Sequence, residues 1–219
     1  MGKNIYLAVI VALLAGNATP AFAQGEFVKE NLSRLIKKVG VHVGIGLSEP
    51  LDSDVTKATK YGVSVGLAPG RGNGWKYPVG ITWFSEELRG ASGEQFGLLQ
   101  TRAALAGVGY GWHFGKLSTT VALQAGIALN TVKLDAAAAR VFDSESEPKI
   151  RLKNSAIVRP QVRFEYFITE RITVRTALSY IHTQPNIAVQ TSAGPAPGNW
   201  NAHNVNAAIG LGYYPFRKQ

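Results

Sequence analysis

The residues of this chain that could do chemistry fall in three places. His182, in Tyr180-Ile181-His182-Thr183, and His203 could act as general bases, and Asp52-Ser53-Asp54 could supply a nucleophile and an orienting carboxylate. No histidine accompanies Asp52 to Asp54 and the His182 tetrapeptide holds no serine, so the fold alone could assemble such a site. A second group, Arg159, Gln161, Arg163, Glu165 and Arg175 with Gln124 and Lys76, sets three guanidiniums against one clear carboxylate. That is the chemistry of a buried ion network, or alternatively of an anion-attracting constriction. The third, Asp143-Ser144-Glu145-Ser146-Glu147, is oxygen-rich but lacks the ordered ligand spacing of a calcium loop, and a solvated acidic loop is the plainer account. No metal and no cofactor is expected. The glycine-rich Gly70 to Gly74 has neither the spacing nor the following helix of a phosphate loop.

The elements that must position these groups begin after an export signal. Lys3, the apolar run Ile5 to Ala15 and the small-x-small Ala21-Phe22-Ala23 predict a signal peptide over residues 1–23. Residues 24–38 follow as an amphipathic helix, with Phe27, Val28, Leu32, Leu35 and Ile36 opposite Lys29, Arg34, Lys37 and Lys38. Its basic face suits an anionic lipid surface, and packing against the end of the next domain accounts for the pattern equally well. No later stretch approaches the roughly 20 apolar residues of a membrane-spanning helix. The chain has no cysteine, so no disulfide scaffold is available. Its net charge is +9, which in an exported protein does not point to nucleic acid.

From Val39 the period changes to two, and eight runs follow over residues 39–219. Val41, Val43 and Ile45 oppose Gly40, His42 and Gly44 in the first; Val121, Leu123 and Ile127 oppose Ala122, Gln124 and Gly126 in the fifth. In the sixth, Val158, Val162, Phe164 and Tyr166 oppose Arg159, Gln161, Arg163 and Glu165, the sharpest contrast of all. In the fourth run Leu99 and Leu105 fall on the wrong face, which suggests a bulge at its start. A face of glycine with a few charges covers a wet exterior badly but fits the interior of a narrow barrel, so the apolar face points into lipid.

Connection lengths alternate. Gly70 to Gly74, Gly115-Lys116 and Thr169-Glu170-Arg171 are tight turns, whereas the links near residues 48–58, 85–98, 134–149 and 184–201 are long. The tight turns are assigned to the periplasmic side. Trp75, Tyr77, Tyr110, Trp112, Tyr166 and Tyr213 then form an aromatic girdle at that rim, and Tyr61, Trp83 and Tyr180 mark the other. The Gly/Pro/Ser composition of Thr191 to Asn199 predicts a mobile external loop.

These runs, ending in Ile209-Gly210-Leu211-Gly212-Tyr213-Tyr214-Pro215-Phe216, resemble the small eight-stranded outer-membrane barrels typified by the transmembrane domain of outer membrane protein A. The resemblance implies an all-β, antiparallel up-and-down transmembrane barrel in the outer membrane of a Gram-negative cell. It implies contact with outer-membrane lipid, lipopolysaccharide and the outer-membrane assembly machinery, and a monomer. Arg217, Lys218 and Gln219 follow the last aromatic, a departure from the terminal signal of such barrels. The function expected is a structural or narrow-channel role in the envelope. The alternative is a lipid A-modifying acyltransferase or deacylase working at the external rim through His182 or His203. The lipid A palmitoyltransferase, too, begins with an amphipathic helix.

Overall fold

The computed structural model describes residues 39–51, 60–68, 70–89, 93–135, 138, 149–191, 194–199 and 202–215. The predicted signal peptide and amphipathic helix lie outside the described residues, as do Asp52 to Asp54, Asp143 to Glu147 and Arg217 to Gln219. Among the described residues the chain forms β1 (Gly40–Pro50), β2 (Lys60–Ala68), β3 (Gly74–Lys76), β4 (Val79–Arg89), β5 (Gln95–Phe114) and β6 (Leu117–Leu134). These are followed by β7 (Lys149–Leu152), β8 (Ser155–Phe167), β9 (Ile172–Thr183), β10 (Asn186–Thr191), β11 (Gly194–Asn199) and β12 (Asn204–Tyr213).

Eight of them close a ring. The hydrogen-bonded order is β5-β4-β2-β1-β12-β9-β8-β6, and β6 pairs again with β5. Among the described residues the ladders are all antiparallel, and β1 pairs with β12 from Val41 with Tyr213 to Pro50 with Asn204. β3 and β4 are one barrel strand: Lys76 pairs with Gly109 and Val79 with Ala106 in the same register. The interruption is Pro78, which has no N–H to give the ladder, although its carbonyl accepts from Gly107 N at 3.0 Å.

The period-two pattern sets the faces. Val41, Val43, Ile45 and Leu47 are 46–62% exposed on the outside of β1, and Leu123, Ile127 and Leu129 are 50–59% exposed on β6. Outward apolar side chains of this kind recur on every barrel strand, forming a continuous apolar wall that lipid would cover. The inner face pairs small residues with a few large ones. At Gly126 and Gly107 a Cβ would overlap the carbonyl oxygens of Ala104 and Leu123, so β5 and β6 approach as they do because neither position carries a side chain. Gly115, at φ +60°, makes the two-residue turn between the same strands possible.

Three expectations change. The β5–β6 ladder runs without interruption from Gly97 with Leu134 to Phe114 with Leu117, and the one register shift among the described ladders sets Leu88 and Arg89 of β4 against Gly97 and Gln95 of β5, so the irregularity falls at Phe96, before Leu99. Leu99 and Leu105 are therefore not displaced by a bulge; they point inward and are buried. The link expected over residues 85–98 is largely strand, because Leu88, Phe96 and Leu99 bury themselves together with Val132, Leu134 and Leu152. The long link over residues 184–201 contains β10 and β11, a hairpin that pairs with β7 in a three-stranded sheet, and β11 takes up most of the Thr191 to Asn199 segment expected to be a mobile loop. β11 is the edge of that sheet, where Pro195 and Pro197 cost no ladder bond on the unpaired side.

Replacing Gly126 with Val should destabilise the barrel by about 1–3 kcal/mol or prevent its closure. Ala125→Val, on the lipid-facing side of the same strand, should leave it intact. Unboiled and boiled samples compared by gel mobility, with urea unfolding in micelles, check both.

Candidate functional site

The inner face stacks in layers, and β8 shows them in one line: Phe167, Glu165, Arg163, Gln161, Arg159, Ile157 and Ser155 all turn inward in that order from the tight-turn end. At that end Phe167, Tyr214 and Ala68 form a buried cluster, with the Phe167 and Tyr214 rings 5.6 Å apart. Arg71 lies across it, its guanidinium 4.6 Å from the Phe167 ring centre, donating to His113 Nε2 at 2.5 Å and to the Gly115 carbonyl. A loop arginine thereby ties the first tight turn to the second.

The polar layer comes next. Arg159 donates from Nε and Nη2 to Gln124 Oε1 at 3.0 and 2.6 Å, and from Nη1 to Thr82 Oγ1 at 3.1 Å. Those bonds link β8 to β6 and, across the lumen, to β4. Glu165 accepts from Thr173 Oγ1 at 2.8 Å and from the Tyr214 hydroxyl at 3.0 Å. Both hydroxyls donate to Oε1; among the described residues no guanidinium of Arg159, Arg163 or Arg175 comes within ion-pair distance, although Arg175 faces Glu165 across the β8–β9 ladder. Arg163 and Arg175 are 3% and 6% exposed, and each has a guanidinium nitrogen with no hydrogen-bond partner. His42 Nδ1 is likewise buried without one.

Above this lies an apolar plug of Phe84, Leu105, Ile157 and Ile181 with Ala103 and Ala128, contributed by five strands. Over it Ser155 and Thr183 share a hydroxyl bond of 2.8 Å, and Asn130 donates to Ser155 Oγ at 3.0 Å. Glu86 is buried here and accepts from Asn204 Nδ2 at 3.2 Å.

The structure thus brings Arg159, Arg163, Arg175, Gln124 and Gln161 to one cavity. Glu165 sits below it, turned toward Tyr214. Lys76 is apart from the cluster, donating to the Gly70 carbonyl at 2.6 Å beside the tight turn. His42, Arg71, Glu86 and the plug residues were not singled out by residue type. A signal for His42 existed, since it is the one large side chain between Gly40, Gly44 and Gly46 on its face.

Trp75, Tyr77, Tyr110, Trp112, Tyr166 and Tyr213 are all exposed on the outer wall toward the tight-turn end, and Tyr110 contacts Trp75 and Trp112 edge-on at 5.8 and 5.0 Å. At the long-loop end His182 and His203 come together, their rings stacked 4.3 Å apart at 16°, with Tyr180 beside both. The rings present faces to one another; Asp52 to Asp54, the expected nucleophile and carboxylates, lie outside the described residues.

No protein-family model and no curated protein sequence matches the chain. Solved structures do. Outer membrane protein OprG from Pseudomonas aeruginosa aligns with a TM-score of 0.62 at 14% identity, over 80% of this chain and 95% of that one. Neisserial surface protein A aligns with a TM-score of 0.53 at 13% identity, over 80% and 96%. Outer membrane protein AlkL, solved in lipid bilayers, gives 0.52 at 14% identity, over 80% and 90%. At these identities the likeness speaks for the fold. With the exposed apolar wall, the chain is a barrel suited to span a membrane, built on the fold of the small eight-stranded outer-membrane barrels.

Proposed function

We propose that this barrel serves as a closed structural element of the outer membrane and not as a pore. The observation that carries this reading is the filled lumen. The Phe167–Tyr214 cluster, the arginine layer and the Phe84–Leu105–Ile157–Ile181 plug succeed one another along the inner face. An aqueous path needs a continuous polar cross-section, and an apolar constriction of packed side chains excludes water.

In this reading the outer wall is the working surface. The aromatic residues toward the tight turns form a girdle at the lipid–water boundary, their ring bodies in acyl chain and their polar atoms toward headgroups. The tight turns face the periplasm. The long-loop end, with the β7-β10-β11 sheet, faces lipopolysaccharide and the exterior, and the barrel reaches the membrane through the outer-membrane assembly machinery as a monomer. A lipid-modifying activity at the rim through His182 or His203 would have to work with the two rings stacked face to face.

Purified protein in planar bilayers should give no regular conductance steps. The combined Phe84→Ala, Leu105→Ala, Ile181→Ala and Phe167→Ala replacement should open steps by thinning both apolar tiers. Regular steps from the unaltered protein would overturn the closed reading. The girdle has its own check: variants retaining only Trp75 or only Trp112 should be quenched strongly by lipids brominated near the headgroup and weakly by lipids brominated at the chain end.

A further inference from the structure

The arginine layer is not electrically complete. His42, Arg159, Arg163 and Arg175 border one cavity, together with the neutral Ser64, Gln124, Gln161 and Asn206. No carboxylate lines it. Glu165, the acid next to these arginines along β8, is committed to Thr173 and Tyr214 below. Arg159 has its acceptors in Gln124 and Thr82, but Arg163 Nη2, Arg175 Nη1 and His42 Nδ1 are buried without partners.

Three buried guanidiniums share one carboxylate, Glu165, which neighbours Arg163 along β8 and faces Arg175 across the β8–β9 ladder, and burying cations short of counter-charge and acceptors costs several kcal/mol. The cavity leaves about 40 Å³ to the centres of water-sized atoms, room for roughly three waters or one ion of comparable bulk. Water alone would satisfy the donors but not the charge. Glycines at 44, 46, 62, 80 and 210 line the opposite wall, so no side chain from β1, β2, β4 or β12 occupies the space at those positions. We propose that this cavity binds one small inorganic anion, of the size of chloride or phosphate, held by Arg163 and Arg175 with His42. A lipid headgroup does not fit the role, because the Phe84 plug lies on one side and the Phe167–Tyr214 cluster on the other.

The ion offsets the layer's excess positive charge in part or whole, according to its own charge, and cross-links β8, β9 and β1. It would then be a structural component of the lumen, whichever way conductance turns out, so the two readings fail separately. The test refolds the protein from urea into micelles at constant ionic strength in sodium chloride, in sodium phosphate, or in a bulky sulfonate buffer salt too large for the cavity. Refolding in each salt lets the ion reach the site before the plug closes. The temperature at which the unboiled gel band is lost should rise and saturate with chloride or phosphate relative to the sulfonate. Arg163→Gln and Arg175→Gln should each raise the half-saturating concentration by about tenfold, as expected for losing one charge-assisted hydrogen bond. Arg171→Gln, at an exposed turn, should not. Identical transitions in all three salts would overturn the proposal, as would a saturating rise that both lumen variants retain. Should the variants fail to fold, the comparison of salts with the unaltered protein decides alone.

Discussion

Within a bilayer each backbone N–H and C=O must be paired inside the chain, and a sheet meets that demand only by closing on itself. Here the return of β6 to β5 completes the circle. Eight strands enclose little space, so whatever faces inward is crowded. The glycines of β5 and β6 answer the crowding by letting backbones approach where a methyl group would collide with a carbonyl. The remaining interior is then just wide enough for long side chains arranged in tiers.

Those tiers make the lumen resemble the core of a soluble protein turned inside out. Ordinarily the apolar residues gather inside and the charges face solvent; this chain puts its apolar majority outside and divides its interior between aliphatic and guanidinium layers. The polar tier carries geometric information that the aliphatic tier does not. Arg159 reaches β6 and β4 at once through Gln124 and Thr82, so it fixes how the two sides of the ring stand relative to each other. Arg71 does the same at the mouth, joining two separate turns through His113 and the Gly115 carbonyl.

Strand number, faces and tight turns were legible because lipid, a thin wall and a period of two leave one consistent assignment. Val121 to Leu129 and Val158 to Tyr166 could be placed by alternation alone. The plug was harder to read. Phe84, Leu105, Ile157 and Ile181 are apolar residues on the polar face, and in any single strand each looks like an exception; only the ring brings them to a common height. Leu99 looked like a bulge for the same reason. The arginines could be assigned to the lumen from sequence, but nothing in their spacing said that Glu165 would turn to Tyr214 and leave Arg163 and Arg175 facing a cavity. The Gly/Pro composition of residues 194–199 concealed a strand, because proline statistics describe paired strands better than edges.

That edge has a consequence for crowding. The barrel itself has no open edge, but the β7-β10-β11 sheet ends in β11, and an open strand is ordinarily a template on which a neighbouring molecule can continue the ladder. Pro195 and Pro197 remove two of the donors such a ladder would need, and Gly194 and Gly198 add no side chains to hold it. A surface densely packed with copies of this protein would thus lack the continuous strand-to-strand adhesion that turns exposed sheets into fibres.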